Sequence, residues 1–243
     1  MAEDRKTPVS RPVAPAPEQV SSDSEIDTFL REARTLAGNR PAGARGRLIF
    51  ALDATMSRQP TWDTACQLQA EMFRETAAIG GLDVQLVYFR GFGECRASRW
   101  VADPASLAGL MARIDCRGGH TQIRKVLRHT RDETRRKPVQ ALVYIGDCME
   151  ESIDELCQLA GEIALSGTRA FMFHEGRDAV AERAFREIAR LTGGAYCRFD
   201  MGSARQLREL LAAVAVFAAG GRKALAEYGR RGGQARLLLQ QLN

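Results

Sequence analysis

LIFALDATMS, residues 48–57, is an apolar run that ends in an acid and then offers two hydroxyls in one turn. Leu48 to Leu52 show no polar alternation, the pattern of a strand covered on both faces. Working outward, similar short runs recur at VQLVYFRG (84–91), ALVYIGD (141–147), AFMFHE (170–175) and AYCRFD (195–200). Helical patterns lie among them near 62–79, 105–114, 121–136, 152–166, 180–192 and 204–219. Strand followed by crossover helix, repeated, predicts an α/β fold with a doubly wound, mainly parallel sheet of about six strands and helices on both faces. ECRASRWV (94–101) departs from the rule: it alternates polar with apolar and follows 84–91 through a short glycine-containing turn. It is expected to form an antiparallel edge strand.

The chain of 243 residues with 45% hydrophobic content can bury one good core, and 27% charged residues argue against wholesale disorder. Four of the eight prolines (Pro8, Pro12, Pro15, Pro17) fall in the first seventeen residues, so 1–24 read as a disordered Pro/Ser-rich tail. Residues 25–44 read as a helix and linker, with Ile26, Phe29, Leu30 and Ala33 at helical spacing. The main domain is expected over 45–220, followed by a helical extension over 221–243 whose Leu237, Leu238, Leu239 and Leu242 supply a face for the core or another subunit. No run of roughly 18 apolar residues predicts a spanning helix, and the polar N-terminus lacks the apolar core of a secretory signal. The six cysteines stand singly, without a C-x-x-C pair. That spacing argues against a zinc ribbon or redox dithiol and for a reducing, cytoplasmic compartment. A formal charge of +5 permits anionic partners without demanding them.

Ligands of open parallel sheets collect beyond the carboxyl ends of the strands. There the first run delivers Asp53, Thr55 and Ser57 in a D-x-T-x-S spacing, and ALVYIGD delivers Asp147, followed by Glu150 and Glu151. Between them CRGGHTQI supplies Thr121 behind two glycines, just before a helix. Two carboxylates and three hydroxyls, without imidazole or thiolate, make an all-oxygen set suited to a hard divalent ion such as Mg²⁺.

These three motifs, in this order on these elements, resemble a von Willebrand factor type A (VWA) domain over roughly residues 45–220. The resemblance implies a metal-ion-dependent adhesion site (MIDAS): Asp53, Thr55 and Ser57 match its first motif, Thr121 its threonine loop and Asp147 its last acid. It further implies Mg²⁺ or Mn²⁺ held directly by the hydroxyls, with the acids acting largely through water. One coordination position would stay open for an acidic side chain of a partner protein, and His120, Glu150 and Glu151 would form the rim. Thr55 stands where serine is commoner in the family, and Gln122 and Ile123 follow Thr121 where a second hydroxyl is usual.

Plainer readings stand beside this one. Asp53 can cap its turn and Asp147 the helix near Ser152. Cys148 lies between an acid and two glutamates, a setting that raises a thiol pKa and argues against a catalytic cysteine. His129 and His174 read as packed or solvated. RKVLRHTRDETRRKP (124–138) is basic, but Asp132 and Glu133 interrupt it and no aromatic is interleaved, so a solvated face is favoured over nucleic-acid binding. Neither a phosphate-binding loop nor a nucleophile elbow occurs. The expected function is therefore cation-dependent protein binding without catalysis. The rivals are an accessory subunit of an ATP-driven complex and a metal-assisted hydrolase.

Overall fold

The computed structural model describes residues 45–77, 81–199 and 204–231. The expected tail and helix before residue 45, and the leucines after 231, lie outside the described residues. Six strands form one sheet: β1 (Gly46–Asp53), β2 (Leu82–Arg90), β3 (Glu94–Val101), β4 (Ala141–Gly146), β5 (Arg169–Glu175) and β6 (Ala195–Phe199). Their order is β3-β2-β1-β4-β5-β6, and every pairing is parallel except β2 with β3. Every residue of β1 and β4 is buried, as unbroken apolar runs require, whereas β3 carries Glu94, Arg96 and Arg99 along an exposed edge.

Among the described residues, helical spans flank the sheet: α1 (Gln59–Thr76), α2 (Pro104–Met111), α3 (Ile123–Arg136), α4 (Ile153–Leu165), α5 (Ala179–Thr192) and the kinked α6 (Ala204–Arg231). Leu48, Phe50 and Leu52 of β1 meet Trp62, Met72, Leu107, Leu210 and Val214 from α1, α2 and α6 on one face. Ile49 and Ala51 meet Val126, Leu127, Leu156, Ile163, Phe185 and Ile188 from α3, α4 and α5 on the other. Alternate residues of one strand thus feed two cores. Local chemistry sets several ends. Asp103 caps α2 by accepting the Ser106 N–H at 2.8 Å, with Pro104 in the first turn. Asp178 caps α5, which closes on Gly193 in the left-handed region at φ 58°.

The basic stretch on α3 is tied to α4: Arg124 pairs with Glu155, and Arg131 and Arg135 with Glu162. The helix expected over 204–219 breaks where the two glycines stand, and a second helical piece runs on to Arg231, as the expected extension required. Gly221, at φ 65° and ψ −162°, takes up a kink there, and Ala224 and Tyr228 still pack on the core beyond it. No helix among the described residues is long and apolar enough to cross a membrane.

Candidate functional site at the sheet's switch point

The strand order reverses direction between β1 and β4, so their carboxyl ends open a crevice with no crossover passing over it. Asp53 and Asp147 stand at those two ends. Asp53 is buried, and its Oδ1 accepts the Thr55 N–H at 2.7 Å, closing the turn that its position in the sequence suggested. From there a hydroxyl relay crosses to the neighbouring strand: Thr55 Oγ1 lies 3.3 Å from Ser57 Oγ, which donates to Asp147 Oδ2 at 3.1 Å. The loop is fixed from behind, because Ala54 donates to Phe89 and accepts from Arg117, each at 2.9 Å. Burial grades outward, from enclosed Asp53 and Thr55 through half-buried Asp147 to exposed Ser57.

Two carboxylate oxygens at this point have no partner. Among the described residues four buried side-chain N or O atoms lack a hydrogen bond, and Asp53 Oδ2 and Asp147 Oδ1 are two of them. A buried polar atom left so costs about 1–3 kcal/mol. Burial pushes the Asp53 carboxyl up to about 6, with Asp147 adding to the rise, while the hydrogen bonds from Thr55 and the charge of Arg58 oppose it. Each of these two carboxylates thus keeps one buried oxygen that no donor of the chain meets.

The second loop reaches the site through the third. Thr121 is buried, and its hydroxyl accepts the Glu150 N–H at 3.1 Å while its own N–H donates to Glu150 Oε2 at 3.1 Å. His120 Nδ1 lies 2.9 Å from the same carboxylate, and both side chains are about half exposed or more. Glu151 turns inward and accepts the N–H groups of Ile123 and Arg124, capping α3 from across the gap. The loop needs its glycine: a Cβ on Gly119 would lie 2.2 Å from the Gly91 carbonyl oxygen. His120 N–H and the Gln122 side-chain amide both donate to that carbonyl. The relay thus joins Asp53, Thr55, Ser57 and Asp147 directly. Thr121 is joined to Asp147 through the short 147–150 segment instead of by a hydrogen bond to the relay.

No protein-family model and no curated protein matches the sequence. Solved structures do. The chain is similar to the VWA domain of SpRpn10, at 13% identity and a TM-score of 0.55 over 70% of this chain and 95% of that one. It is similar to proximal thread matrix protein 1 from the mussel byssus with a zinc-occupied MIDAS motif, at 16% identity and a TM-score of 0.55 over 71% and 46%. An aerotolerance-related membrane protein from Bacteroides fragilis aligns at 18% identity and a TM-score of 0.53 over 68% and 96%.

The fold is that of a VWA domain. Within this VWA fold the three expected loops lie after β1, before α3 and after β4. Among the described residues no cluster of three or more His, Cys, Asp or Glu side chains could hold a metal, so any ion here would depend on hydroxyls beside the two acids. Mg²⁺ and Mn²⁺ accept that donor set, and the two orphaned carboxylate oxygens fit it.

Four participants escaped the sequence reading. Arg58, directly after the D-x-T-x-S string, is buried and pairs with Glu175, with a second contact of 3.6 Å to Asp147 Oδ2. Thr61 joins the Arg58–Glu175 pair through its hydroxyl. Glu175 closes the 170–175 run, and asking what each strand end carries would have found it. Phe92, at the tip of the β2–β3 turn, is 84% exposed and sits edge-on to His120 with ring centroids 5.2 Å apart. The Cys148 thiol is pushed up to about 12, first by burial and then by Asp147, the opposite of what a nucleophile needs.

Proposed function

We propose that this chain is a protein-binding module, without catalysis, whose site holds Mg²⁺ or Mn²⁺ and accepts a carboxylate from a partner protein. The observation that carries the reading is the pair of orphaned, buried oxygens, Asp53 Oδ2 and Asp147 Oδ1, on adjacent strands at the switch point. Asp53, Thr55, Ser57, Thr121 and Asp147 would hold the ion. A divalent cation there would supply an electrophilic position, and ligands that are mostly neutral hydroxyls would leave it attractive to a further carboxylate.

The chain's own residues do the rest. Asp53 holds the first loop in shape through Thr55. Glu150 and Glu151 hold the second loop against the third, so the three loops are fixed before anything binds. The rim is mixed. His120 and Glu150 stand at its edge, with Phe92 against His120 as apolar surface that a partner can cover, and Met56 is exposed next to Ser57 in the first loop. The zinc-occupied MIDAS of the mussel byssus protein supports the metal reading by likeness of fold.

Calorimetric titration of the full chain with Mg²⁺ tests it. The expected result is binding of one ion by the wild type and none by Asp53→Ala or Asp147→Ala, with the fold retained. Equal heats from wild type and Asp53→Ala would remove the proposal.

A further inference from the structure

Three neighbouring strands end in carboxylates at this crevice: Asp53 at the end of β1, Asp147 just after β4 and Glu175 at the end of β5. One buried guanidinium stands among them. Arg58, with 5% of its side chain exposed, pairs with Glu175 and donates to Thr61, whose hydroxyl donates in turn to Glu175. The same guanidinium lies 3.6 Å from Asp147 Oδ2, the oxygen that also accepts from Ser57. Three acids and one guanidinium leave a formal charge of −2, which one divalent ion cancels. A buried carboxylate must be paired, and Arg58 is the partner that the structure gives Glu175.

We propose that Arg58 is a positioning residue that keeps Glu175 out of the metal's ligand set and, by sharing Asp147, holds metal affinity low enough for the ion to exchange. The inference rests on the metal-site reading above. A fixed cation on a carboxylate repels an incoming ion. A third carboxylate, once released, would attract that ion and fill the position a partner's acid needs. Arg58 thus trades tight closure of the site for openness.

The test uses the full chain and Mn²⁺ alone, followed by calorimetry and by the electron paramagnetic resonance signal of free Mn²⁺. Arg58→Met releases Glu175 and is expected to tighten Mn²⁺ binding at least about tenfold. Glu175→Gln leaves Arg58 with Asp147 as its remaining acid and is expected to weaken binding about tenfold. The double variant Arg58→Met/Glu175→Gln removes the buried pair as a unit, so it keeps the test open if Arg58→Met does not fold. It is expected about threefold tighter than wild type, because only the sharing of Asp147 is relieved. A purely structural role would shift the unfolding midpoints without these opposed changes in affinity.

If the wild type binds Mn²⁺ and the folded variants bind it equally well, the role of Arg58 is overturned while the metal site stands. If the wild type does not bind but Arg58→Met does, Arg58 excludes the ion instead of keeping it exchangeable, and the proposal is overturned. Absence of binding in every folded variant would overturn both.

Discussion

Strand β1 carries a buried charge near each end, Arg47 and Asp53, on the same face and about 20 Å apart at roughly 3.3 Å per residue. At the amino end Arg47 pairs with Glu133 of α3 at 3.2 Å, lies over the Trp100 ring at 3.8 Å and donates to the Lys137 carbonyl. Glu133 also accepts from Trp100 at 2.9 Å and from Arg136 at 2.8 Å. Every oxygen of that carboxylate is used. At the carboxyl end Asp53 and Asp147 each keep one buried oxygen with nothing to accept from. A buried charge whose partners are all supplied by the chain is part of the framework, whereas one left short is waiting for something from outside. On the proposed reading, the same strand has a structural end and a binding end.

The largest expected effect attacks the structural end. Glu133→Ala leaves Arg47 buried beside Trp100 and should cost about 3–5 kcal/mol in urea unfolding, with Mg²⁺ affinity unchanged. A change in Mg²⁺ affinity would mean that the two ends are not independent. Next, Gly119→Ala drives a methyl into the Gly91 carbonyl and should cost about 1–3 kcal/mol. Because the strained loop carries Thr121, metal affinity should fall too, which would tie the second loop to the site. Asp53→Asn should behave oppositely to Glu133→Ala: unfolding free energy without metal within about 1 kcal/mol of wild type, or higher, because a buried charge is removed, and no metal binding. A large loss of stability in this variant would make Asp53 part of the framework.

The smallest effect is a pH dependence away from the site. Burial holds the His129 imidazole below its usual range, and its Nε2–H donates to Gln85 Oε1 at 2.8 Å. The unfolded chain then takes up the proton first as pH falls through about 6.5, so stability is full above that pH and declines below it. His129→Gln should flatten the decline between about pH 7 and 5 in thermal unfolding.

Much of this was legible before any coordinates. The apolar runs placed five of the six strands, and the polar alternation of 94–101 placed the sixth as the antiparallel edge, because a strand's covering decides its pattern directly. Boundaries near proline and glycine were less legible. The helical pattern was expected from near residue 62, yet the first helix starts at Gln59, since proline is tolerated in a first helical turn where its missing N–H has no acceptor to serve. Gly220 and Gly221 read as a break, and Gly221 is one: it leaves the helical region, and a second helical piece follows with Ala224 and Tyr228 on the core.

Asp53, Thr55, Ser57 and Asp147, which the structure links by hydrogen bonds, were legible as neighbours because each ends a strand or follows one by a short offset. Arg58 with Glu175 was not, because that pairing joins distant segments and leaves no periodic trace in the chain. Glu151 was expected at the rim. Its turn toward α3 follows from the unsatisfied N–H groups that every helix start presents, which a carboxylate from a neighbouring loop can satisfy. The contacts of the basic stretch with Glu155 and Glu162 have the same character: charge patterns announce a face, and only the fold chooses its partner.

The most direct measurement is crystallographic: anomalous scattering from a crystal of the full chain grown with Mn²⁺. The account predicts one peak in the crevice between β1 and β4, bonded at about 2.0–2.2 Å to the hydroxyl oxygens of Thr55 or Ser57, with Asp53 Oδ2 and Asp147 Oδ1 turned to it or to its waters. No peak there at saturating Mn²⁺, with those two oxygens bonded instead to groups of the chain itself, would contradict it.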